Sequence, residues 1–254
     1  MGTRKLLYRY RSSEEYNIAA FLSDSINGSL FATFPDVGEL NFGIPSGRFS
    51  KYGATKEDER KMVDSLINNS NNHYYMACLS YNNPYSNKKM WLKYAKGGGF
   101  CLAFDYQSIK DAVDDTISNG AFAMVSNVNY SDEMYDLSPF YDPFLKTVYD
   151  NKDEPIEKLE CLLDKTKASL YTTEYGKYVV NSFVHKKKEY SNEREVRIIL
   201  QKIPKGNQRN PTHINQIIKI KPIKVIVSKN MNAIDQYRIF MHARENNISF
   251  ETIN

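Results

Sequence analysis

The order of apolar and polar positions predicts a mixed set of strands and helices. Residues 6–10, apolar and aromatic, read as a short strand, and Tyr8, Arg9, Tyr10 and Arg11 alternate aromatic with basic side chains. Ser12-Ser13-Glu14-Glu15 places a Ser three residues before a Glu, a capping box, and predicts a helix to about Asn27 that stops at Gly28. A strand over 29–34, closed by Pro35, and a long loop over 35–55 follow. Residues 55–69 read as a strongly charged helix, 74–80 as a strand and 81–89 as a polar loop. A short helix over 90–95 is interrupted by Gly97, Gly98 and Gly99 before Phe100-Cys101-Leu102-Ala103-Phe104-Asp105. That apolar run reads as a buried central strand. A helix over 108–118 and a strand over 121–130 come next. Apolar positions from Ile156 to Phe183 predict a long helical stretch over 154–185, with Gly176 as its break. Strands over 194–201, 215–221 and 223–227, a helix over 232–245 and a strand over 248–253 close the chain. Strands and helices do not alternate strictly, so the expected class is α+β: one domain over 1–254, with mixed or antiparallel sheets and flanking helices.

Composition agrees with a globular domain. Over 254 residues, 41% are hydrophobic and 25% charged, which excludes collagen-like, linker-like and coiled-coil chains. No apolar run approaches the roughly 20 residues of a membrane span. The basic start has no long apolar stretch after it, which argues against a secretory signal. Cys78, Cys101 and Cys161 are odd in number and widely spaced, as in a reducing cytoplasm. The net charge of +4 divides unevenly: residues 1–185 carry −4 and residues 186–254 carry +8. A basic final third would suit phosphates or nucleic acid; the blander reading is a solvated face balancing an acidic remainder.

Several familiar chemistries are absent. There is no phosphate loop, no dinucleotide-binding glycine fingerprint, no paired-cysteine zinc spacing and no nucleophile elbow. His73, His185, His213 and His242 have no metal-ligand spacing. One segment concentrates charge. If residues 194–200 form a strand, Glu193, Glu195 and Arg197 share one face, while Val196 and Ile198 join the core on the other. Such a cluster handles charge in some proteins and is an exposed sheet face in others. On the first strand, Arg9 and Arg11 could together grip a pyrophosphate, and Tyr10 could stack on a ring. The alternative is an edge strand with arginine stems lying over the sheet. Trp91 and Tyr94 share a helix face, suited to a ligand wall or to core packing.

These blocks, in this order, resemble the family of domain of unknown function 2971, found in bacteria and phages. The resemblance rests on Leu7-Tyr8-Arg9-Tyr10-Arg11-Ser12, on Ala77-Cys78-Leu79-Ser80 with Met90-Trp91-Leu92-Lys93-Tyr94-Ala95, on Gly99 to Asp105, and on Tyr190 to Arg197. It departs at Leu40-Asn41-Phe42-Gly43, where members often carry an Asn-Asp-Pro-Phe turn, and at Lys93, where they often carry His. The layout is further similar to the ADP-ribosyltransferase fold. That fold opens on a strand that holds NAD. It covers nicotinamide with an aromatic block and carries a catalytic Glu on a late strand. The similarity implies NAD as substrate, Glu195 and Glu193 as catalytic carboxylates, and Arg9, Tyr10, Arg11, Ser80, Trp91, Tyr94 and Arg197 as NAD-binding residues. It implies a transferase acting on a macromolecule, as a toxin or phage-conflict effector. Lys186, Lys187 and Lys188 lie beside the late strand and would draw a nucleic-acid acceptor. Two other readings stand beside it: a non-catalytic nucleotide- or partner-binding module, and a metal-dependent nuclease using Glu193 and Glu195, with Asp105 as a further carboxylate.

Overall fold

The structure is a computed structural model and describes residues 5–30, 39–71, 74–118, 123–173, 175–201 and 215–253. The chain gathers into two compact units. The first comprises 1–34, 73–128 and 191–254, and the second 35–72 and 129–190. The class is α+β, as the irregular element order predicts.

The first unit is built on β1 (Leu6–Arg11), β2 (Ser25–Leu30), β4 (Tyr74–Ser80), β5 (Phe100–Asp105), β6 (Ala123–Asn127), β10 (Glu195–Gln201), β11 (Asn215–Lys219), β12 (Lys224–Ser228) and β13 (Ser249–Ile253). These nine strands form one sheet, antiparallel except for the β12–β13 pair. β4 is where the sheet divides. One edge of β4 pairs with β10 along its whole length, and β10 carries β6 beyond it. The other edge is shared: Ser80 pairs with Tyr8 of β1, while Tyr75 and Met76 pair with Leu30 and Ser29 of β2. From β1 the sheet continues through β5 and β12 to β13.

Alternation along the strands sorts the side chains into two faces. On one, Leu7, Leu102, Phe104, Val225, Val227, Val196 and Ile198 form the main core. Helices α1 (Glu15–Leu22), α4 (Tyr106–Ser118) and α8 (Ala233–Glu245) add Ile18, Phe21, Ile109, Val113, Ile239 and Ala243 to it. Each of the valine, leucine, isoleucine and phenylalanine side chains contributes about 1.5–3 kcal/mol by leaving water. On the other face a smaller cluster of Tyr10, Cys101 and Ile226 is covered by Met90 and Trp91 of α3 (Lys88–Tyr94) and by Ala95.

The second unit holds β3 (Phe42–Gly43) paired with β8 (Tyr135–Asp136), and β7 (Asn129–Ser131) paired with β9 (His185–Lys187). Its helices are α2 (Lys56–Asn71), α5 (Ser138–Asp150), α6 (Ile156–Thr173) and α7 (Tyr175–Phe183).

Several expectations change. The first helix ends at Leu22, where Asp24 takes a positive φ of 48°, and β2 runs straight through Gly28. Gly28 therefore pairs with Asn215 in the sheet and stops no helix. Ser12 makes no cap to the helix; its hydroxyl donates to Glu14 and accepts from Asn17. The reciprocal cap appears on α2 instead, where Asp58 accepts from Thr55 and the Thr55 hydroxyl accepts from the Asp58 amide. α5 lies in a stretch to which the sequence pattern assigns no element; Pro139 sits in its first turn, where its missing N–H costs nothing, and Pro143 lies inside the helix. The stretch expected as one strand over 121–130 is two, in different sheets. The strand expected over 29–34 lies partly outside the described residues, as does the start of the loop expected over 35–55.

Candidate functional site: a carboxylate pair held between β4, α3 and β10

Cross-strand register aligns Glu195, Ser80, Tyr8, Ala103 and Lys224 in one row on the α3 face of the sheet. Arg197 and Cys78 stand in the next row. Glu195 and Arg197, two residues apart, pair along their own strand. Arg197 donates through Nε to Glu195 Oε1 at 2.7 Å and through Nη2 to Oε2 at 3.1 Å. Both are buried, Arg197 completely. A two-pronged guanidinium clamp fixes both oxygens of the carboxylate as well as neutralising it.

Glu193 reaches the same face by a different route. It closes a 3-10 turn over Lys188–Glu193, and Arg194 then takes a positive φ of 46° before the strand begins. The expected strand alternation from Glu193 to Glu195 is thus replaced by a turn. β4 and the loop after it hold that turn. The Ser80 hydroxyl donates to the Glu193 carbonyl and accepts from the Asn82 amide at 2.9 Å. Asn82 Nδ2 donates to the carbonyls of Asn192 at 2.7 Å and Glu193 at 3.0 Å. The Tyr81 amide donates to the Arg194 carbonyl at 3.1 Å. These bonds offset the conformational cost of a non-glycine residue at positive φ. The Glu193 carboxylate is buried and meets α3: its Oε1 accepts from Lys93 Nζ at 2.7 Å and from the Tyr94 hydroxyl at 3.0 Å.

α3 is set by Asn87, whose side chain caps the Met90 amide. Trp91 is buried, donates its indole N–H to the Pro84 carbonyl at 2.8 Å, and meets the Tyr10 ring edge-on at 5.5 Å. The Tyr10 hydroxyl donates to the Asn82 carbonyl, and burial pushes its pKa up. The chain enters β5 from α3 through Gly99, where a Cβ would lie 1.9 Å from the Arg11 carbonyl oxygen. Only glycine lets β1 and this turn approach so closely.

Of the sequence-derived candidates, Tyr10, Ser80, Trp91, Tyr94, Glu193, Glu195 and Arg197 come together on the α3 face. Arg9 and Arg11 do not. They pair with Leu102 and Phe100, so they project to the main-core face; Arg9 is buried, and desolvation draws Arg11 down to about 10. Arg11 stays cationic at neutral pH. Lys186 is also placed differently from expectation. It is fully buried in an ion pair with Glu39 and lies 5.0 Å over the Tyr190 ring, so it joins no surface patch. Lys187 and Lys188 are exposed, and Lys188 pairs with Asp132. Asp105 caps α4 through Ser108. Among the described residues, no group of three or more His, Cys, Asp or Glu is arranged to hold a metal ion. Three contributors were missed from sequence: Tyr8, Asn82 and Lys93. Asn82 could have been flagged by its place just beyond a Ser-ended strand; Tyr8 and Lys93 stand in the blocks that carry the family resemblance, but their part in the site follows only from register and contact.

No helix among the described residues is long and apolar enough to cross a membrane. No curated protein and no solved structure matches the chain. Residues 90–198 match the model of one family, from Met90 of α3 to Ile198 of β10, which takes in Trp91, Lys93, Tyr94, Glu193, Glu195 and Arg197 and leaves Tyr8, Ser80 and Asn82 outside. The match supports assignment of that segment to the family described as Protein of unknown function (DUF2971).

Proposed function

We propose that the α3 face is an NAD site and that the protein is an ADP-ribosyltransferase-like enzyme acting on a macromolecular acceptor. The observation that carries the reading is convergence. The first strand, the aromatic helix and the late carboxylate strand meet on one face, with Tyr8 and Tyr10, Trp91 and Tyr94, and Glu193 and Glu195 as their contributions. These are the three contributions that the resemblance to the ADP-ribosyltransferase fold implies, without the first-strand arginines. In the reaction the bond between nicotinamide nitrogen and the ribose C1′ breaks, and nicotinamide leaves with the electron pair. The ribose acquires oxocarbenium character, which an adjacent carboxylate stabilises. The acceptor's oxygen or nitrogen then bonds to C1′ and passes its proton to a carboxylate. Glu195, locked by Arg197, suits the electrostatic role, and Glu193, beside Tyr94, suits the proton-accepting one. The placement of Arg9 and Arg11 gives them a structural role in this reading. The +8 charge of residues 186–254, with Lys187 and Lys188 exposed, favours nucleic acid over protein as acceptor.

The test is nicotinamide release from NAD, followed by mass spectrometry with and without nucleic acid. The wild-type chain is expected to release it, and Glu195→Gln to lose roughly a hundredfold or more, the usual cost of removing such a charge. NAD binding without release would turn the reading toward a non-catalytic nucleotide-binding module. Wild-type turnover by Glu195→Gln would remove Glu195 from the chemistry.

A further inference from the structure

With Arg9 and Arg11 on the far face of the sheet, the anionic part of a ligand on the α3 face needs another cation. The segment from Asn82 to Phe104 contains Lys88, Lys89, Lys93 and Lys96 and no Asp or Glu. Lys96 is engaged with Glu14. Lys89 and Lys93 are four residues apart on α3, hence neighbours on one side of the helix, and both are exposed. Lys93 is the one that touches the site. Its side chain is 40% exposed while the carboxylate it holds, Glu193, is 8% exposed. An anion arriving from solvent therefore meets the ammonium and not the carboxylate.

We propose that Lys93, with Lys89, forms a pyrophosphate-binding subsite, and that the Glu193 carboxylate is the internal anion that a ligand phosphate competes with. An ammonium has three rotatable donors, so Lys93 can turn toward a phosphate oxygen while staying near Glu193. The cost of the exchange is modest on the lysine side, because Lys93 remains paired with an anion throughout. On the carboxylate side, Tyr94 continues to donate to Glu193 Oε1. Ligand binding would thereby loosen the hold of Lys93 on Glu193 at the moment the carboxylate is needed to accept a proton. The inference deepens the NAD reading by naming the groups that take its pyrophosphate.

The experiment uses the full chain and inorganic pyrophosphate, titrated by calorimetry at low and moderate salt. Wild type is expected to bind, more weakly as salt rises, since exposed cations are screened. Lys93→Gln should weaken binding by about tenfold or more, the ordinary worth of one charge-assisted hydrogen bond. Lys89→Gln should weaken it less, Lys93→Arg should largely restore it, and Glu193→Gln should tighten it. If Lys93→Gln fails to fold because Glu193 loses its cation, the double variant Lys93→Gln/Glu193→Gln removes both charges and answers the same question. Absence of binding at low salt, binding indifferent to Lys93, or no gain from Glu193→Gln would each overturn the proposal. The outcome separates from that of the NAD reading. Pyrophosphate binding without nicotinamide release keeps the subsite and sinks the transferase, whereas nicotinamide release with unaltered pyrophosphate binding in Lys93→Gln does the reverse.

Discussion

At the scale of single residues, the site depends on groups whose alternatives are excluded by contact. Gly99 shows this most simply. A methyl group there would lie 1.9 Å from the Arg11 carbonyl oxygen and 2.8 Å from that of Ala95, and both obstacles are backbone. Neither can swing aside as a side-chain tip would, so β1 or the turn entering β5 must move. Gly99→Ala is expected to destabilise by about 1–3 kcal/mol or more, as overpacking does. Urea denaturation measures it, and a wild-type midpoint would mean that the two strands do not approach as described. Ser80 and Asn82 act in the same manner through hydrogen bonds. Neither carries charge, yet together they hold the Asn192 and Glu193 carbonyls and so orient the carboxylate that follows.

At the scale of elements, β10 is the strand on which most depends. It carries Val196 and Ile198 into the main core and Glu195 and Arg197 onto the α3 face. The ion pair within it is buried, so its two halves are unequal to remove. Truncating Arg197 leaves the Glu195 carboxylate buried without its cation, which typically costs about 3–5 kcal/mol. Replacing both groups by neutral ones removes that penalty. Arg197→Met is therefore expected to be severely destabilised, and Glu195→Gln/Arg197→Met to recover much of the loss, both read from denaturant midpoints. A double variant no more stable than Arg197→Met would show that the arginine acts through packing and not through its charge. The split edge of β4 belongs to this scale too. By giving Ser80 to β1 and Tyr75 and Met76 to β2, β4 places the end of its own strand, the start of β10 and the middle of β1 in one row.

At the scale of the whole molecule, the chain weaves between its two units, passing from one to the other after residues 34, 72, 128 and 190. No Gly- or Pro-rich linker marks these passages, which is why the sequence reads as one domain over 1–254. The single tryptophan offers a probe of one unit alone. Trp91 is 8% exposed, in a cluster with Tyr10, Cys101 and Ile226 of the nine-stranded sheet. Its emission should be blue-shifted in the native protein, and its red shift in urea should report the loss of that sheet. Native emission resembling that of free tryptophan would contradict the burial of the α3 face. Trp91 is buried and hydrogen-bonded to Pro84.

The sequence by itself determined the elements whose signal is local. Alternation marks β1 and the apolar run marks β5. Periodicity marks the helical stretch of α6 and α7, although Gly176, expected as its break, lies inside α7. It also brought forward the Glu193-x-Glu195-x-Arg197 segment, because charge at that density next to an apolar strand is visible in one dimension. Tertiary structure decided the rest. Alternation alone puts Arg9 and Arg11 on the side opposite Tyr10, but that their side is the main core and Tyr10's is the α3 face follows only once Arg9 pairs with Leu102, Arg11 with Phe100, and α3 packs over Tyr10. Gly28 looks like a helix stop until β11 supplies a strand partner that extends β2 through it. Lys186 looks like part of a basic run until Glu39, far off in sequence, pairs with it in the interior. Lys93 looks like any surface lysine until the turn before β10 brings Glu193 to it. In each case the deciding interaction joins residues distant along the chain, and the free energy that selects it is absent from any local window of sequence.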